Sequence, residues 1–319
     1  MTNKDKEIKK ALTHFKLHSY ALRNGKGLLS KRLKVSQEAI EIARNLIKKS
    51  IEDTTKVSAP KILILDIETA PMKAYVWKRW KEDISLDQTI SEWFCLAWAA
   101  KWLYNPSGEY SSDIISEVLT PSQVKDENDY FIMCKLRELL NQADIVVAHN
   151  GAKFDIPRIN SRFISLGINP PTPYYIVDTL REAKKVFDFS SNKLDALASF
   201  MNTGTKKIKT DFSLWKSCME GDEEALELMR DYNERDVYVL EKVYLKMRPF
   251  IKGHPNVGAI LAKDNVCPIC GSPLVTKYPG YYSTSVNRYT LYKCDRCHSV
   301  VRSRKPEEKS KVTHTSLGH

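Results

Sequence analysis

The chain has 319 residues and a formal net charge of +11. That length supports a sizeable core and more than one domain. No apolar run approaches the roughly 20 residues that span a bilayer, and Met1-Thr-Asn-Lys-Asp-Lys-Glu7 is not an apolar signal segment, which excludes a membrane-embedded reading and points to a cytoplasmic one.

The charge is uneven. Residues 1–60 carry 14 Lys/Arg against 6 Asp/Glu, residues 251–319 carry 11 against 4, and residues 61–250 carry 25 against 29. Basic flanks around a slightly acidic centre suit a protein whose flanks hold a polyanion and whose centre holds metal ions.

Residues 1–54 read as a small helical domain. Lys4 to Arg23 lacks Pro and Gly, and Asn24-Gly-Lys-Gly27 breaks it. A short helix over Leu28 to Leu33, a turn at Lys34-Val35-Ser36 and a longer helix over Gln37 to Ser50 follow, with Ser36 as N-cap. Leu29, Leu33, Val35, Ile40 and Ala43 are spaced to pack the two helices at an angle, which resembles a DNA-binding helix-turn-helix. Lys34 stands where that motif usually has Gly. Lys31, Arg32, Gln37, Glu38, Glu41 and Arg44 are the polar residues that would face a duplex, and an ordinary helical domain is the alternative. Residues 51–60 are polar, end in Pro60 and read as a linker.

Lys61-Ile-Leu-Ile-Leu-Asp-Ile-Glu-Thr69 reads as a buried strand. Asp66 and Glu68 are two residues apart, so both project to one side. The pair begins a divalent-metal site, or else marks a solvated strand end. Tyr75-Val-Trp-Lys-Arg-Trp-Lys81 interleaves aromatic and basic residues. Amphipathic packing is the expected role, with stacking on bases as the other reading. Strands follow over Trp93 to Trp102 and Tyr110 to Leu119, then an amphipathic helix over Asp126 to Gln142 and a buried strand over Asp144 to Asn150. Asp155 opens a helix through Leu166, at a strand end of the kind where open α/β sheets build their sites. Tyr174 to Thr179 is a further strand and Asn192 to Met201 a further helix. Gly221 and Pro249 bracket residues 222–248, which contain neither Gly nor Pro and read as one long helix. Tyr232 and Asp236, at i and i+4, share a face of it.

Asp66-Ile-Glu68, Asp155 in His-Asn-Gly-Ala-Lys-Phe-Asp, and Tyr232-x-x-x-Asp236 together resemble the three motifs of the DEDD exonuclease superfamily, in its tyrosine-containing DEDDy subgroup. The resemblance covers residues 60–250 and is similar in detail to stand-alone exonucleases of phages and prophages. It implies an α/β fold, a ribonuclease-H-like mixed sheet flanked by helices, and metal-dependent 3′-to-5′ hydrolysis of nucleic acid. Two Mg²⁺ or Mn²⁺ ions about 3.5–4 Å apart stabilise both the attacking and the leaving oxygen in such reactions. By the resemblance, Asp66 would bridge both ions, Glu68 and Asp236 would complete the first site, and Asp155 would serve the second, mainly through water. Tyr232 would orient the attacking water. Asn150 either contacts the terminal nucleotide or closes the turn after its strand; Asp178 and Asp195 are expected to act in local structure and capping.

Seven cysteines in a chain of this length do not read as a disulfide framework. Cys95, Cys134 and Cys218 are scattered and read as structural thiols. Cys267-Pro-Ile-Cys270 and Cys294-Asp-Arg-Cys297 resemble the two knuckles of a zinc ribbon over residues 262–302, with one structural Zn²⁺ on four thiolates. A rubredoxin-like iron is the weaker alternative. Cys294-Asp-Arg-Cys297-His298 also spells a haem-attachment pattern, which the first knuckle argues against. Tyr278, Tyr281, Tyr282, Tyr289 and Tyr292 lie between the knuckles with Lys277, Arg288 and Lys293, a composition suited to single-stranded nucleic acid. Residues 303–319 read as a disordered basic tail. The expected partner is nucleic acid, DNA ahead of RNA on the strength of the N-terminal motif alone, and no membrane. An RNA 3′-end-processing enzyme and a non-catalytic binding regulator are the alternatives.

Overall fold

The computed structural model describes residues 3–17, 30–31, 33–45, 59–205 and 207–307. Chain contacts divide it into two compact units, one of Pro60–Asn105 and Glu109–Pro255, the other of the flanking residues with Pro106–Gly108.

The first unit is a mixed α/β layer structure. Strand β1 (Ile62–Thr69) lies at the centre of a five-stranded sheet, between β4 (Cys95–Trp102), which is antiparallel to it, and β6 (Ile145–Ala148), which is parallel. β5 (Ile114–Val118) closes one edge beyond β4 and β7 (Tyr175–Asp178) the other beyond β6. The first five residues of β1 after Lys61 are branched or leucine apart from Asp66, as a strand covered on both faces requires. Its odd-numbered Leu63, Leu65 and Ile67 enter a core shared with Leu96, Trp98 and Val146 and with Ile132, Met133 and Leu136 of α3 (Tyr130–Leu140). Its even-numbered Asp66 and Glu68 therefore share the other face, opposite Ala99 and Ala97 of β4. The small side chains there leave room above the carboxylates.

That other face is covered by α8 (Glu223–Met247), the long helix expected from its Gly and Pro brackets. Asp222 caps it, accepting from the N–H groups of Glu224 and Ala225 at 3.0 and 3.2 Å. Val239, Leu240, Val243 and Tyr244 are fully buried. Two polar locks fix α8 to the sheet. Lys101 of β4 donates to Glu241 at 2.6 Å, with 3% and 2% of their side chains exposed. Arg248 donates to the hydroxyls of Tyr104 and Tyr110 at 2.8 and 3.2 Å.

Boundaries differ from expectation where tertiary bonds compete. The third strand starts at Ile114 because Tyr110 turns back to pair with Tyr104, their rings 5.3 Å apart. Helix α3 starts at Tyr130, not Asp126: Asp129 spends its buried carboxylate on the Cys95 N–H and Arg162 Nε, both at 2.8 Å. The aromatic segment 75–81 does not pack. It projects from a two-stranded ribbon, β2 (Lys73–Ala74) with β3 (Thr89–Ser91), and every residue of it is exposed.

In the flanking unit, α1 (Asn3–Leu17) and the helical residues 37–45 bury Ala11, Val35, Ile40 and Ala43 together, with Leu12 and Leu33 against them. Ser36 caps the second helix through a 3.2 Å bond from Ala39 N–H, and Glu7 accepts from its N–H and hydroxyl. Lys34 sits at φ 50°, the left-handed turn where Gly is usual. Of the polar residues expected to face a duplex, Lys31 and Gln37 are exposed, Glu38 is paired with Lys4, and Glu41 and Arg44 are half-buried. Leu29, Arg32, residues 46–58 and the tail beyond 307 lie outside the described residues. The C-terminal part forms a three-stranded sheet of β8 (Val275–Ser283), β9 (Arg288–Cys294) and β10 (Val300–Arg302), with β9 central. Among the described residues no helix is long and apolar enough to cross a membrane.

The buried Lys101–Glu241 pair yields a test of what holds α8 in place. Lys101→Met leaves Glu241 buried with, among the described residues, Lys242 at 3.9 Å as its remaining ion-pair partner, and is expected to cost about 3–5 kcal/mol in urea unfolding. The double replacement Lys101→Met, Glu241→Leu removes the stranded charge and is expected to recover most of that loss. Additive losses would show that the pair is not coupled.

Candidate active site and metal centres

Asp66 and Glu68 of β1 and Asp236 of α8 come together, each offering a carboxylate oxygen within 4.8 Å of the others. Their neighbours show how three acids are tolerated there. Asn233, fully buried one turn before Asp236, donates its Nδ2 to Asp66 Oδ2 at 2.7 Å. Trp215 of α7 (Phe212–Met219) lies beside Glu68 in the same cleft and offsets a little of the rise in its pKa. Lys207 Nζ meets Asp236 Oδ2 at 2.5 Å and lies 5.3 Å from the centre of the Tyr232 ring. Tyr232 lies beside Asp236 and packs edge-on against Trp215, ring centres 5.8 Å apart.

Asp155 reaches the site from another direction. The turn Asn150-Gly-Ala-Lys-Phe154 leads from β6 into α4 (Asp155–Ser165). Asn150 adopts φ 68°, and a Cβ at Gly151 would lie 2.3 Å from the Cβ of Ala148, so no other residue fits that approach. Asp178 ties the turn down, accepting from the N–H groups of Asn150 and Ala152 at 3.0 and 3.1 Å, and caps α5 (Thr179–Val186) through Leu180 and Arg181. Asp195 accepts from the Ala196 N–H at 2.9 Å and also lines the cleft described next. Asp178 thus takes the local, capping role expected of it. Asp155 is buried and accepts from Ile67 N–H at 3.2 Å, beside Asp66 but outside the group of three. Asn150 fills the turn role, and its residue also lines the cleft described next.

The electrostatics record the crowding. Burial, then the charges of Asp155, Glu68 and Asp236, push the Asp66 carboxyl well above the usual range, against Lys207. Burial and Asp236 raise Glu68 to about 8, and burial raises Asp155 to about 7 against its bond from Ile67. Asp236 is raised by burial, against Lys207. Burial and the Asp236 carboxylate lift the Tyr232 phenol to about 12. Burial would lower Lys207, but Asp236 holds it above its usual value. A field this negative calls for cations. Asp236 Oδ1 is buried without a hydrogen-bond partner, a free hard-oxygen ligand beside two others. The donor set suits Mg²⁺ or Mn²⁺.

These carboxylates form the floor of a cleft of about 1060 Å³, with Phe154 and Trp215 in its walls and Lys184, Lys193, Lys207 and Lys209 around it. Sequence reasoning missed Lys207, Trp215 and Asn233. Only Asn233 carried a signal, lying three residues before Asp236 on the same helix face.

In the other unit, the Sγ atoms of Cys267, Cys270, Cys294 and Cys297 all lie within 4.8 Å of one another and are buried. Cys267–Cys297 and Cys270–Cys294 are each 3.6 Å apart. Zn–S bonds of about 2.3 Å give tetrahedral edges of about 3.8 Å, so the four fit one ion. The two knuckles repeat one design. After each second cysteine, Gly271 and His298 take left-handed φ of 74° and 62° and donate to the first cysteine's carbonyl at 2.9 Å. Each first cysteine N–H in turn donates to a buried serine carbonyl, Cys267 to Ser272 and Cys294 to Ser299. Cys95 and Cys218 are buried and bond backbone carbonyls, as structural thiols do.

A family model described as the RNase H superfamily matches residues 109–248, which include Asp155, Tyr232 and Asp236 and leave β1 outside. The mixed sheet and flanking helices are an RNase H-like domain. No curated protein matches the chain. Among solved structures, one similar to it is the family B DNA polymerase of the hyperthermophilic archaeon Pyrobaculum calidifontis, at 14% identity and a TM-score of 0.40, covering 64% of this chain. The chain spans 27% of that polymerase.

Two measurements follow from the centres. A carboxyl whose pKa is higher folded than unfolded keeps more protons in the folded state, so stability falls as pH rises between the two values. For Glu68 that window runs from about 4.5 to 8. Without divalent ions, Glu68→Gln is expected to raise the melting temperature by about 3 °C or more at pH 8 and by less at pH 5. A pH-independent change would sink the crowding account. At the thiols, metal analysis of the purified chain is expected to give about one zinc per molecule, lost in Cys270→Ser. Retention of the metal by that variant would rule out this site.

Proposed function

We propose that this chain is a metal-dependent nuclease that shortens nucleic acid from its 3′ end. The observation that carries the reading is the cluster of Asp66, Glu68 and Asp236, with its unpartnered Asp236 oxygen, at the floor of a lysine-edged cleft. Asp66, Glu68 and Asp236 would hold one divalent ion, and Asp66 with Asp155 a second. Such ions supply a water of lowered pKa and neutralise charge on the phosphate and the leaving oxygen.

The protein groups have complementary tasks. Tyr232 stays a neutral phenol at physiological pH, its pKa raised to about 12. It therefore serves to orient a water by hydrogen bonding and not as a strong base. Lys184, Lys193 and Lys209 have no carboxylate partner among the described residues and can receive phosphates entering the cleft. Phe154 and Trp215 offer flat walls to a terminal base. Asn150 lines the cleft and would contact the terminal nucleotide. In the other unit Zn²⁺ would be structural. Its sheet carries Arg302 over the Tyr289 ring at 4.2 Å and Arg288 over Tyr281 at 3.6 Å, and a guanidinium stacked in this way keeps N–H groups for phosphate. The N-terminal helix pair favours DNA as the polymer. RNA is the second reading of the same chemistry.

The test uses 3′- and 5′-labelled DNA and RNA, single- and double-stranded, with Mg²⁺ or Mn²⁺. A ladder shortening from the 3′ end is expected with the wild type. Asp66→Ala and Asp155→Ala should lose it while remaining folded, and Tyr232→Phe should slow it about 10²-fold. Binding without cleavage of every substrate would turn the reading into that of a regulator. Wild-type cleavage by either aspartate variant would overturn the assignment of that residue.

A further inference from the structure

The ribbon of β2 and β3 carries a surface that the cleft does not use. Tyr75, Trp77, Trp80 and Leu86 are 74%, 93%, 81% and 90% exposed. An indole buries some 150–250 Å² when it finds a partner, and a cluster of large apolar groups left in water marks an interaction surface. Lys78, Arg79 and Lys81 alternate with the indoles, are exposed, and meet no carboxylate among the described residues.

The display is built, not loose. The Glu82 carboxylate accepts from the N–H groups of Trp77 and Lys78 at 3.0 and 2.8 Å, and from Gln88 Nε2 at 3.2 Å. Those bonds hold Glu82 below the usual carboxylate range. Gln88 N–H and Ser85 close a capping box, and Tyr75 N–H bonds the Gln88 carbonyl at 2.9 Å. Lys81 takes the left-handed φ of 54°, an unfavourable backbone for a side chain of its kind. Glu82 is thus committed to the backbone of the turn and Asp87 to the Ser85 hydroxyl, with Asp83 the remaining acid of the segment, and among the described residues none of the three forms an ion pair with Lys78, Arg79 or Lys81.

The ribbon leaves β1 just after Glu68 and returns through Trp93 into β4. At its foot the Arg158 guanidinium lies 4.6 Å from the centre of the Trp93 ring and 4.5 Å from that of Phe154, and donates to Thr69 Oγ1 at 2.7 Å. Phe154 is a wall of the cleft. Aromatic and cationic groups therefore continue from the carboxylates to the ribbon within one unit.

We propose that Trp77 and Trp80, with Lys78, Arg79 and Lys81, form a platform for an unpaired stretch of nucleic acid. Indoles stack on exposed base faces whatever the sequence, and the cations meet the phosphates between them. A duplex offers no such faces along its length. An apolar protein groove would have to desolvate three unpaired cations. The inference deepens the nuclease reading and rests on it for the identity of the polymer. The platform holds the strand outside the cleft while its end is processed.

The experiment measures binding, so it does not require cleavage. Full-length protein without added divalent ions is titrated with fluorescein-labelled (dT)20, followed by anisotropy and by quenching of indole emission. Trp77→Ala and Trp80→Ala are each expected to weaken binding about ten-fold, and Trp77→Phe to retain most of it. Loss of Lys78, Arg79 and Lys81 together should flatten the slope of log K against log salt by about two. The same variants should change affinity for a blunt duplex less than three-fold. Exposed indoles imply melting temperatures close to wild type, and a smaller quenching amplitude in the conservative Trp77→Phe and Trp80→Phe variants than in the wild type reads the contact should an alanine variant fold poorly. Double indole variants that bind (dT)20 within two-fold of wild type overturn the platform. So does an equal loss on duplex, or quenching by anionic phosphatidylglycerol vesicles but not by (dT)20. Indole-dependent binding without metal-dependent cleavage keeps the platform and sinks the nuclease, and the converse result separates them the other way.

Discussion

Repulsion among carboxylates gathered on one face of β1 is the constraint to which the rest of the first unit answers. Asp66, Glu68 and Asp236 are held within 4.8 Å of one another, with Asp155 close behind Asp66. Left to itself such a group would separate or keep its protons. It cannot separate, because its members stand on the middle strand of a sheet and a 25-residue helix, elements that move only as wholes, and so its carboxyls hold their protons above the usual range. The buried Lys101–Glu241 pair and the Arg248 bonds to Tyr104 and Tyr110 fasten that helix to β4 and its continuation. The core beneath Leu63, Leu65 and Ile67 fastens the strand. Strain at a site is sustained when surrounding structure over-determines it, and here the over-determination is visible on both sides.

How much of this was legible follows from what each signal needs. The even spacing of Asp66 and Glu68 needs only the strand period, and Tyr232 and Asp236 need only the helical one. Both are local properties that tertiary structure did not revise. The turn before Asp155 was legible as a position, a strand end meeting a helix, although the need for Gly151 comes from Ala148 and is visible only in three dimensions. Lys207 was not legible at all. It lies in a segment whose described residues, 201–205 and 207–211, form no helix or strand, so its arrival at Asp236 is a product of chain closure. Trp215 is similar: its helix was not anticipated, and nothing in an amphipathic segment says which ring will meet Glu68.

The aromatic stretch 75–81 shows the opposite failure. Its composition fits both packing and display, and the two differ only in whether a second layer exists to cover it. The sheet order places β2 and β3 in a ribbon of their own, outside the five-stranded sheet. A ribbon of two and three residues has no face large enough to bury two indoles. The knuckle cysteines needed no such context, because four thiolates and two tight left-handed turns are a complete design at short range.

Lys207 also clarifies what the acid cluster lacks. Its ammonium has settled on Asp236 Oδ2, where the field is most favourable to positive charge, and burial has not overcome that attraction. One charge on a flexible stem cannot answer three carboxylates. It leaves Asp236 Oδ1 without a partner and Glu68 raised to about 8. A divalent ion brings two charges and several oxygen-coordinating positions to one point, which is the deficit that remains. The arrangement is therefore partly neutralised by the chain and not self-sufficient, and its incompleteness is chemically specific: hard oxygen ligands, excess negative charge and a cation of the protein's own at the edge. The soft thiolates of the other unit are complementary to a different ion, so the two centres are sorted by ligand chemistry alone.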